Sequence, residues 1–265
     1  MSNHNNKTAN AFLNLIEVIK KLRSPEGCPW DQKQTQKSLI PYLLEETYEV
    51  IESIEENNVN MLKEELGDLI LHILFQAEIA FEKEQFNIYD SIKNVTEKLI
   101  NRHPLVFNND QAIESNKQNI HNWELAKQKE KNRKNILEGV PKKLPALLRA
   151  RRIQEKASSV GFDWEELSSV LDKVNEEIIE LKEAIKLQQT NHIKDELGDV
   201  IFTLVNLSRF LNIDPESALR NTISKFEKRF SYLEKELKQN KKSLSNTTLD
   251  EMNEIWDKVK EKTRK

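Results

Sequence analysis

The sequence predicts an all-α protein, and three observations support this prediction. The 265 residues include only 5 glycines and 7 prolines, far fewer than the turns of a β-sandwich or barrel require. Charged residues make up 32% of the chain and hydrophobic residues 37%, which is enough apolar material for a core beneath charged helical surfaces. The apolar residues also recur every three and four positions, as they do in amphipathic helices.

Charge and hydropathy exclude several classes of protein. The 41 basic and 44 acidic residues nearly cancel, so no bulk positive field attracts nucleic acid, and direct nucleic-acid binding is not expected. Cys28 is the single cysteine, which excludes an intrachain disulfide and a thiolate metal cluster. The first ten residues lack the apolar core of a signal peptide, and the most apolar stretch, 69–75, is too short to span a bilayer. We therefore expect a soluble cytoplasmic protein without a membrane partner.

The chain contains two copies of one helical unit. Two acidic motifs occur twice at a constant offset of 131 residues: EExxE at 45–49 and 176–180, and ExxD at 65–68 and 196–199. Repeats of this kind indicate duplicated structural units. Gly139 lies between the copies, in a segment with the Gly and Pro content of a linker. We predict an N-terminal repeat over 1–135, a linker over 136–146 and a C-terminal repeat over 147–265.

Apolar spacing predicts a pair of helices in each repeat. Within 66–77, apolar residues recur at i, i+3, i+4, i+7, i+8 and i+11, which is an amphipathic helical pattern. Residues 197–205 repeat this pattern, and the partner helices are predicted at 39–54 and 170–185. Pro41 falls near the start of its helix, where proline is tolerated.

The acidic motifs border the apolar faces of these helices. Residues three apart share a helix face, so antiparallel packing of the paired helices would bring four carboxylates together in each repeat. The two sets are Glu46, Glu49, Glu65 and Asp68, and Glu177, Glu180, Glu196 and Asp199. Four close carboxylates repel one another unless protons or cations offset them, and a divalent ion is the usual remedy. A solvated surface with chance spacing is the alternative, and duplication of the whole set argues against it.

The ligand types favour one kind of metal. Carboxylate oxygens suit Mg²⁺, with Mn²⁺ possible, whereas di-iron bundles need a Glu-x-x-His motif that neither repeat contains. Mg²⁺ held by a few carboxylates usually meets phosphates. Gly67 and Gly198 lie inside the ExxD motifs, where a helical glycine costs about 1 kcal/mol relative to alanine. Close approach of a ligand or of another helix would explain both glycines.

Basic and aromatic pairs also recur in both repeats. Lys98 with Arg102 and Lys225 with Arg229 are i, i+4 pairs that we interpret as phosphate contacts. A solvated helix face is the alternative interpretation. The aromatic pairs are Trp123 with Lys127 and Trp256 with Lys260. These tryptophans either offer a stacking surface for a base or belong to the core.

Together these motifs resemble the MazG nucleoside triphosphate pyrophosphohydrolases. The tandem EExxE and ExxD motifs carry the resemblance, with the segments 22–31, 102–107 and 160–164. The resemblance implies an all-α fold whose four-helix cores form in a homodimer. It also implies Mg²⁺-dependent cleavage of NTPs or dNTPs to the monophosphate and pyrophosphate, which removes unwanted nucleotides with broad base tolerance.

The resemblance also implies roles for individual residues. It implies that both carboxylate sets are Mg²⁺ ligands and that Glu176 or Glu177 orients or deprotonates water. It also implies that the nucleotide is contacted by Lys225, Arg229, Trp256 and Lys260, with Lys173, His192, Asp195 and Asp199 beside them. Lys98, Arg102, Trp123 and Lys127 are their counterparts in the first repeat.

Two questions remain open at the level of sequence. The alternative function is a non-catalytic helical dimer that binds nucleotides or a protein partner and has a regulatory role. The second question is which repeat works, and we predict the second. It has Lys173 where the first has Tyr42, and Pro104 predicts a helix end at Arg102.

Overall fold

The computed structural model describes residues 2–107 and 135–262, and these residues are helical with no strand. The prediction of an all-α protein is confirmed. The chain divides into two compact units, Met1–Ala112 and Ile113–Lys265. None of the described helices is long and apolar enough to cross a membrane.

A helical hairpin forms the centre of the first unit. The helices are α1 (Ser2–Arg23), α2 (Pro29–Lys33), α3 (Ile40–Glu55), α4 (Val59–Glu82), α5 (Ile88–Arg102) and α6 (Pro104–Phe107). Helices α3 and α4 pack against each other across a short turn in which Asn57 has φ 55°. The side chain of Asn58 then caps α4 by accepting a hydrogen bond from the backbone N–H of Met61 (3.2 Å).

The core of this unit lies between α1 and α4, and Leu39, just before α3, completes it. Its buried residues are Ile19, Leu39, Leu74, Phe75 and Ile79. Each such side chain contributes about 1.5–3 kcal/mol when it leaves water. At the end of α1, Arg23 binds both carboxylate oxygens of Glu82 (2.6 and 2.7 Å) and donates to the carbonyl of Asp31 (2.6 Å). The bidentate pair joins α1 to the end of α4, and the hydrogen bond to Asp31 holds α2 beside them.

A second hairpin forms the centre of the second unit. Its elements are α7 (Ala146–Ser158), α8 (Leu167–Leu187), α9 (Thr190–Phe210), α10 (Pro215–Gln239), a 3₁₀ turn (Leu244–Asn246) and α11 (Leu249–Lys262). Helices α8 and α9 pack against each other across a turn at Gln188, which has φ 53°. Helix α9 also packs on α7, and α10 contacts α7 and α11.

The predicted helices coincide with the two hairpins. Residues 39–54 and 66–77 lie in α3 and α4, apart from Leu39, which precedes α3, and 170–185 and 197–205 lie in α8 and α9. Pro41 occupies the first turn of α3, as expected for a proline that lacks a backbone donor.

Both hairpins keep large apolar side chains exposed. On α3 and α4 these include Leu44, Tyr48, Leu66, Ile70 and Ile73; on α8 and α9 they include Leu171, Ile179, Leu197, Ile201 and Leu204. Apolar surface of this extent on one element is typical of a protein–protein interface.

Candidate active site

The first hairpin brings three carboxylates together. Helix α3 provides Glu46 and Glu49, and α4 provides Glu65; oxygens of these three side chains lie within 4.8 Å of one another. Asp68, the fourth member of the predicted set, lies outside this group of three. Burial raises the pKa of Glu46, and the negative charges of Glu49, Asp68 and Glu65 raise it further. The first cluster therefore needs protons or a cation.

The second hairpin contains a matching group. Glu177 on α8 and Glu196 and Asp199 on α9 lie within 4.8 Å of one another. Glu177 is only 6% exposed, so its charge must be compensated nearby. Glu180, the fourth predicted member, lies outside the group. Desolvation raises the pKa of Glu180, and the charge of Glu177 raises it further.

A lysine and a histidine contact the second cluster. Lys173 Nζ lies 2.7 Å from Glu177 Oε1 and 2.8 Å from Glu176 Oε1. His192 Nδ1 lies 3.3 Å from Glu196 Oε1. His192 and Asp195 also line an open depression of about 520 Å³ at the start of α9. Six of the predicted site residues are therefore neighbours at the second cluster: the three clustered carboxylates, Lys173, Glu176 and His192.

The first cluster has an aromatic neighbour instead of an ammonium. Tyr42 stands where the second repeat has Lys173, and its ring stacks on His72 (centroids 6.2 Å apart, 4° between planes). His72 Nε2 lies 3.7 Å from Glu46 Oε1, and burial lowers the pKa of His72. His72 is not among the site residues predicted from the sequence, although its position four residues after Asp68 places it on the same helix face.

The predicted cations of the second repeat and Trp256 lie on helices outside the hairpin. Lys225 and Arg229 lie in the middle of α10. Trp256 on α11 packs against Phe226 of α10 (centroids 5.1 Å apart). Lys225 forms no ion pair with a second-cluster carboxylate within the described part of the chain.

The remaining predicted nucleotide contacts that the structure describes lie on α5 and α11. Lys260 lies on α11. Lys98 and Arg102 lie on α5, and Arg102 is its last residue. Trp123 and Lys127 fall outside the described residues.

The two helical glycines face open space. A Cβ atom added at Gly67 or Gly198 would meet no described atom within 4 Å, apart from the local helix backbone. Packing against a neighbouring helix among the described residues therefore does not explain either glycine. The space beside each ExxD motif is available to a ligand or to a second chain.

The donor atoms of both clusters fit a hard divalent cation. Each group offers only carboxylate oxygens, the ligands that Mg²⁺ and Mn²⁺ prefer. A bound cation would also relieve the mutual repulsion of these carboxylates. The fold and the clusters define a class of all-α protein, in which each of two repeats presents carboxylates for a divalent metal from a helical hairpin.

Comparison with known proteins identifies the family. The MazG nucleotide pyrophosphohydrolase domain matches twice, over residues 34–107 and 165–233. The chain is 47% identical to the nucleoside triphosphate pyrophosphohydrolase/pyrophosphatase MazG of Thermotoga maritima, over 94% of this chain and 95% of that protein. It is 38% identical to the nucleoside triphosphate pyrophosphohydrolase of Escherichia coli, over 93% and 95%. The chain belongs to the MazG family of nucleotide pyrophosphohydrolases.

Proposed function

We propose that this protein hydrolyses nucleoside and deoxynucleoside triphosphates to the monophosphate and pyrophosphate, with Mg²⁺ as its metal and broad base tolerance. Its role is the removal of unwanted nucleotides from the cytoplasmic pool. The observation that carries this proposal is the second cluster, where buried Glu177 meets Glu196 and Asp199 within 4.8 Å. The two full-length relatives named as triphosphate pyrophosphohydrolases support the reaction type.

The carboxylates of the second cluster hold the metal in this proposal. Glu177, Glu196 and Asp199 are the ligands, and Glu180 joins them by a change of side-chain rotamer. When bound, Mg²⁺ neutralises phosphate charge and lowers the pKa of a coordinated water. Glu176 or Glu177 orients or deprotonates the attacking water, because both lie at the cluster and carboxylates act as general bases.

Groups around the cluster bind the nucleotide. Lys225 and Arg229 stabilise the charge that develops on the leaving pyrophosphate. Trp256 offers an aromatic face to the base without reading its edge, which suits broad base tolerance. Lys173, His192, Asp195, Asp199 and Lys260 complete the nucleotide site.

The domain organisation in this proposal follows the repeats. The N-terminal repeat spans 1–135, the linker 136–146 and the C-terminal repeat 147–265, which is the main catalytic unit. The first cluster, with Lys98, Arg102, Trp123 and Lys127, is the weaker or structural counterpart.

A homodimer is part of the same proposal. The exposed apolar faces of the two hairpins need a partner, and a second copy of the chain completes a four-helix core around each cluster. The near balance of charge gives no basis for nucleic-acid binding.

The products distinguish this reaction from other phosphate hydrolysis. With Mg²⁺, we expect ATP, dUTP and dCTP each to yield the monophosphate and pyrophosphate in equal amounts as the first products. Anion-exchange chromatography of early time points measures them, with a sample lacking Mg²⁺ as control. Initial formation of NDP and orthophosphate would contradict the proposal. Binding without turnover would favour the regulatory alternative.

Mg²⁺ is expected to stabilise the fold at neutral pH much more than at acidic pH. The pKa values of Glu46, Glu65 and Glu180 are raised above their usual 4.5, so the folded state binds more protons than the unfolded state just above that pH. Stability of the metal-free protein therefore falls as pH rises through the folded-state pKa values. Mg²⁺ at 100 times its Kd offsets this loss by about 2.7 kcal/mol.

Thermal unfolding measured by circular dichroism at pH 7.5 and pH 4.5 tests this expectation. NaCl of equal ionic strength serves as the control for screening. An equal rise in Tm at both pH values would show that Mg²⁺ acts elsewhere than on the clusters.

A further inference from the structure

Lys173 binds a carboxylate of the second cluster that would also bind the metal ion. Its Nζ lies 2.7 Å from Oε1 of Glu177 and 2.8 Å from Oε1 of Glu176. Glu177 is 6% exposed, so this ammonium compensates most of the charge that burial would otherwise disfavour. Lys173 is therefore the ammonium partner of both Glu176 and Glu177.

The first cluster is built without this ammonium. Tyr42 fills the position of Lys173, stacks on His72 and has no ammonium group. The carboxylates of Glu46, Glu49 and Glu65 nevertheless lie within 4.8 Å of one another there. One repeat therefore places an ammonium against its buried carboxylate, and the other places an aromatic ring at the equivalent position.

A divalent ion and Lys173 compete for the same carboxylate, that of Glu177. Mg²⁺ binds carboxylate oxygens at about 2.0–2.1 Å, and Lys173 already contacts Oε1 of Glu177 at 2.7 Å. An ammonium and a dication on one carboxylate repel each other strongly in a buried setting. Lys173 is on the first half of α8, and its side chain is 30% exposed, so it has room to swing away from Glu177.

We propose that Lys173 is the internal counter-cation of the second cluster: it competes with the metal for Glu177 and transfers to the triphosphate when substrate binds. This inference rests on the proposed function for the identity of the metal and of the anion. The triphosphate supplies the negative charge that Lys173 loses on leaving Glu177. Metal and nucleotide consequently promote each other's binding, and by linkage the two effects are equal.

The first cluster serves as an internal comparison. Because no described residue places an ammonium on its carboxylates, we expect it to bind metal without nucleotide more readily than the second. The substitutions Glu49→Gln and Glu65→Gln, made together in the full chain, remove two of the three clustered carboxylates of the first cluster. The second cluster then dominates the metal titration.

Binding of Mn²⁺ to this variant, measured by the electron paramagnetic resonance of free Mn²⁺, tests the counter-cation role. Adding Lys173→Met is expected to tighten Mn²⁺ binding about tenfold in the absence of nucleotide, a size typical of coupled sites. Lys173→Arg keeps the positive charge and is expected to leave the affinity near that of the parent. Lys182→Met, on an exposed part of α8, is the matched control and is expected to change nothing.

The same titration with a triphosphate analogue that cannot be cleaved between the α and β phosphates tests the coupling. The analogue is expected to tighten Mn²⁺ binding in the parent by more than it does in the Lys173→Met variant. Circular dichroism checks that each variant folds. Unchanged or weaker nucleotide-free Mn²⁺ binding in a folded Lys173→Met variant would overturn the inference. Intact Mn²⁺ binding without pyrophosphate release from the wild type would overturn the proposed function alone.

Discussion

Replacing Glu196 by Gln is expected to remove nearly all pyrophosphate release, whereas Glu65→Gln is expected to keep a substantial share. The two residues occupy the same position of ExxD, and each belongs to a group of three carboxylates within 4.8 Å. The substitution keeps side-chain size and removes one negative charge from the metal ligands. In the working site, we expect a loss of at least about 100-fold, as for the removal of other groups that stabilise transition-state charge.

The surroundings of the clusters are the reason to expect this ranking. Lys225 and Arg229 lie in the middle of α10 (Pro215–Gln239), so a rigid helix supports both cations. Arg102 is the last residue of α5, and Pro104 follows it, so its pair with Lys98 is less firmly supported. Lys173 gives the second cluster a cation that can meet a phosphate, and Tyr42 gives the first cluster none.

The comparison requires folded proteins and initial rates under the same conditions. Circular dichroism and the apparent Tm establish folding, and pyrophosphate release gives the rate. A greater loss in Glu65→Gln than in Glu196→Gln would assign the working site to the first repeat.

The sequence was sufficient to predict the hairpins and the side of each hairpin that carries the acids. Apolar periodicity and the spacing of EExxE and ExxD fix which residues share a helix face, and the helices of the structure follow from that. The repeat offset then related one cluster to the other. These features depend on backbone geometry, which helical periodicity determines.

The sequence was not sufficient to predict how the side chains group around each cluster. Three of the four expected carboxylates cluster in each hairpin, and the excluded residue differs: Asp68 in the first and Glu180 in the second. Side-chain rotamers and the local balance of charge decide this grouping. The stack of Tyr42 on His72 and the pairing of Lys173 with Glu177 likewise depend on contacts between two helices.

Replacing Ile201 by Glu is expected to convert the proposed homodimer into monomers and to remove most activity. Ile201 lies on α9, is 44% exposed within its unit, and belongs to the apolar face of the second hairpin. In a dimer that buries this face, the new carboxylate would be desolvated without a partner. We expect such an unpaired buried charge to cost about 3 kcal/mol or more.

Light scattering coupled to size-exclusion chromatography measures the mass, which is expected to be twice 31.1 kDa for the wild type.

Asn253→Glu adds the same charge at an exposed position of α11 and is expected to leave both dimer and activity intact. Loss of activity in an Ile201→Glu variant that remains dimeric would assign the apolar face to the substrate instead of the partner chain. A wild-type mass of 31.1 kDa at micromolar concentration would contradict the homodimer. The exposed apolar residues of the two hairpins would then need another partner, because two helices cannot cover their own apolar faces on every side.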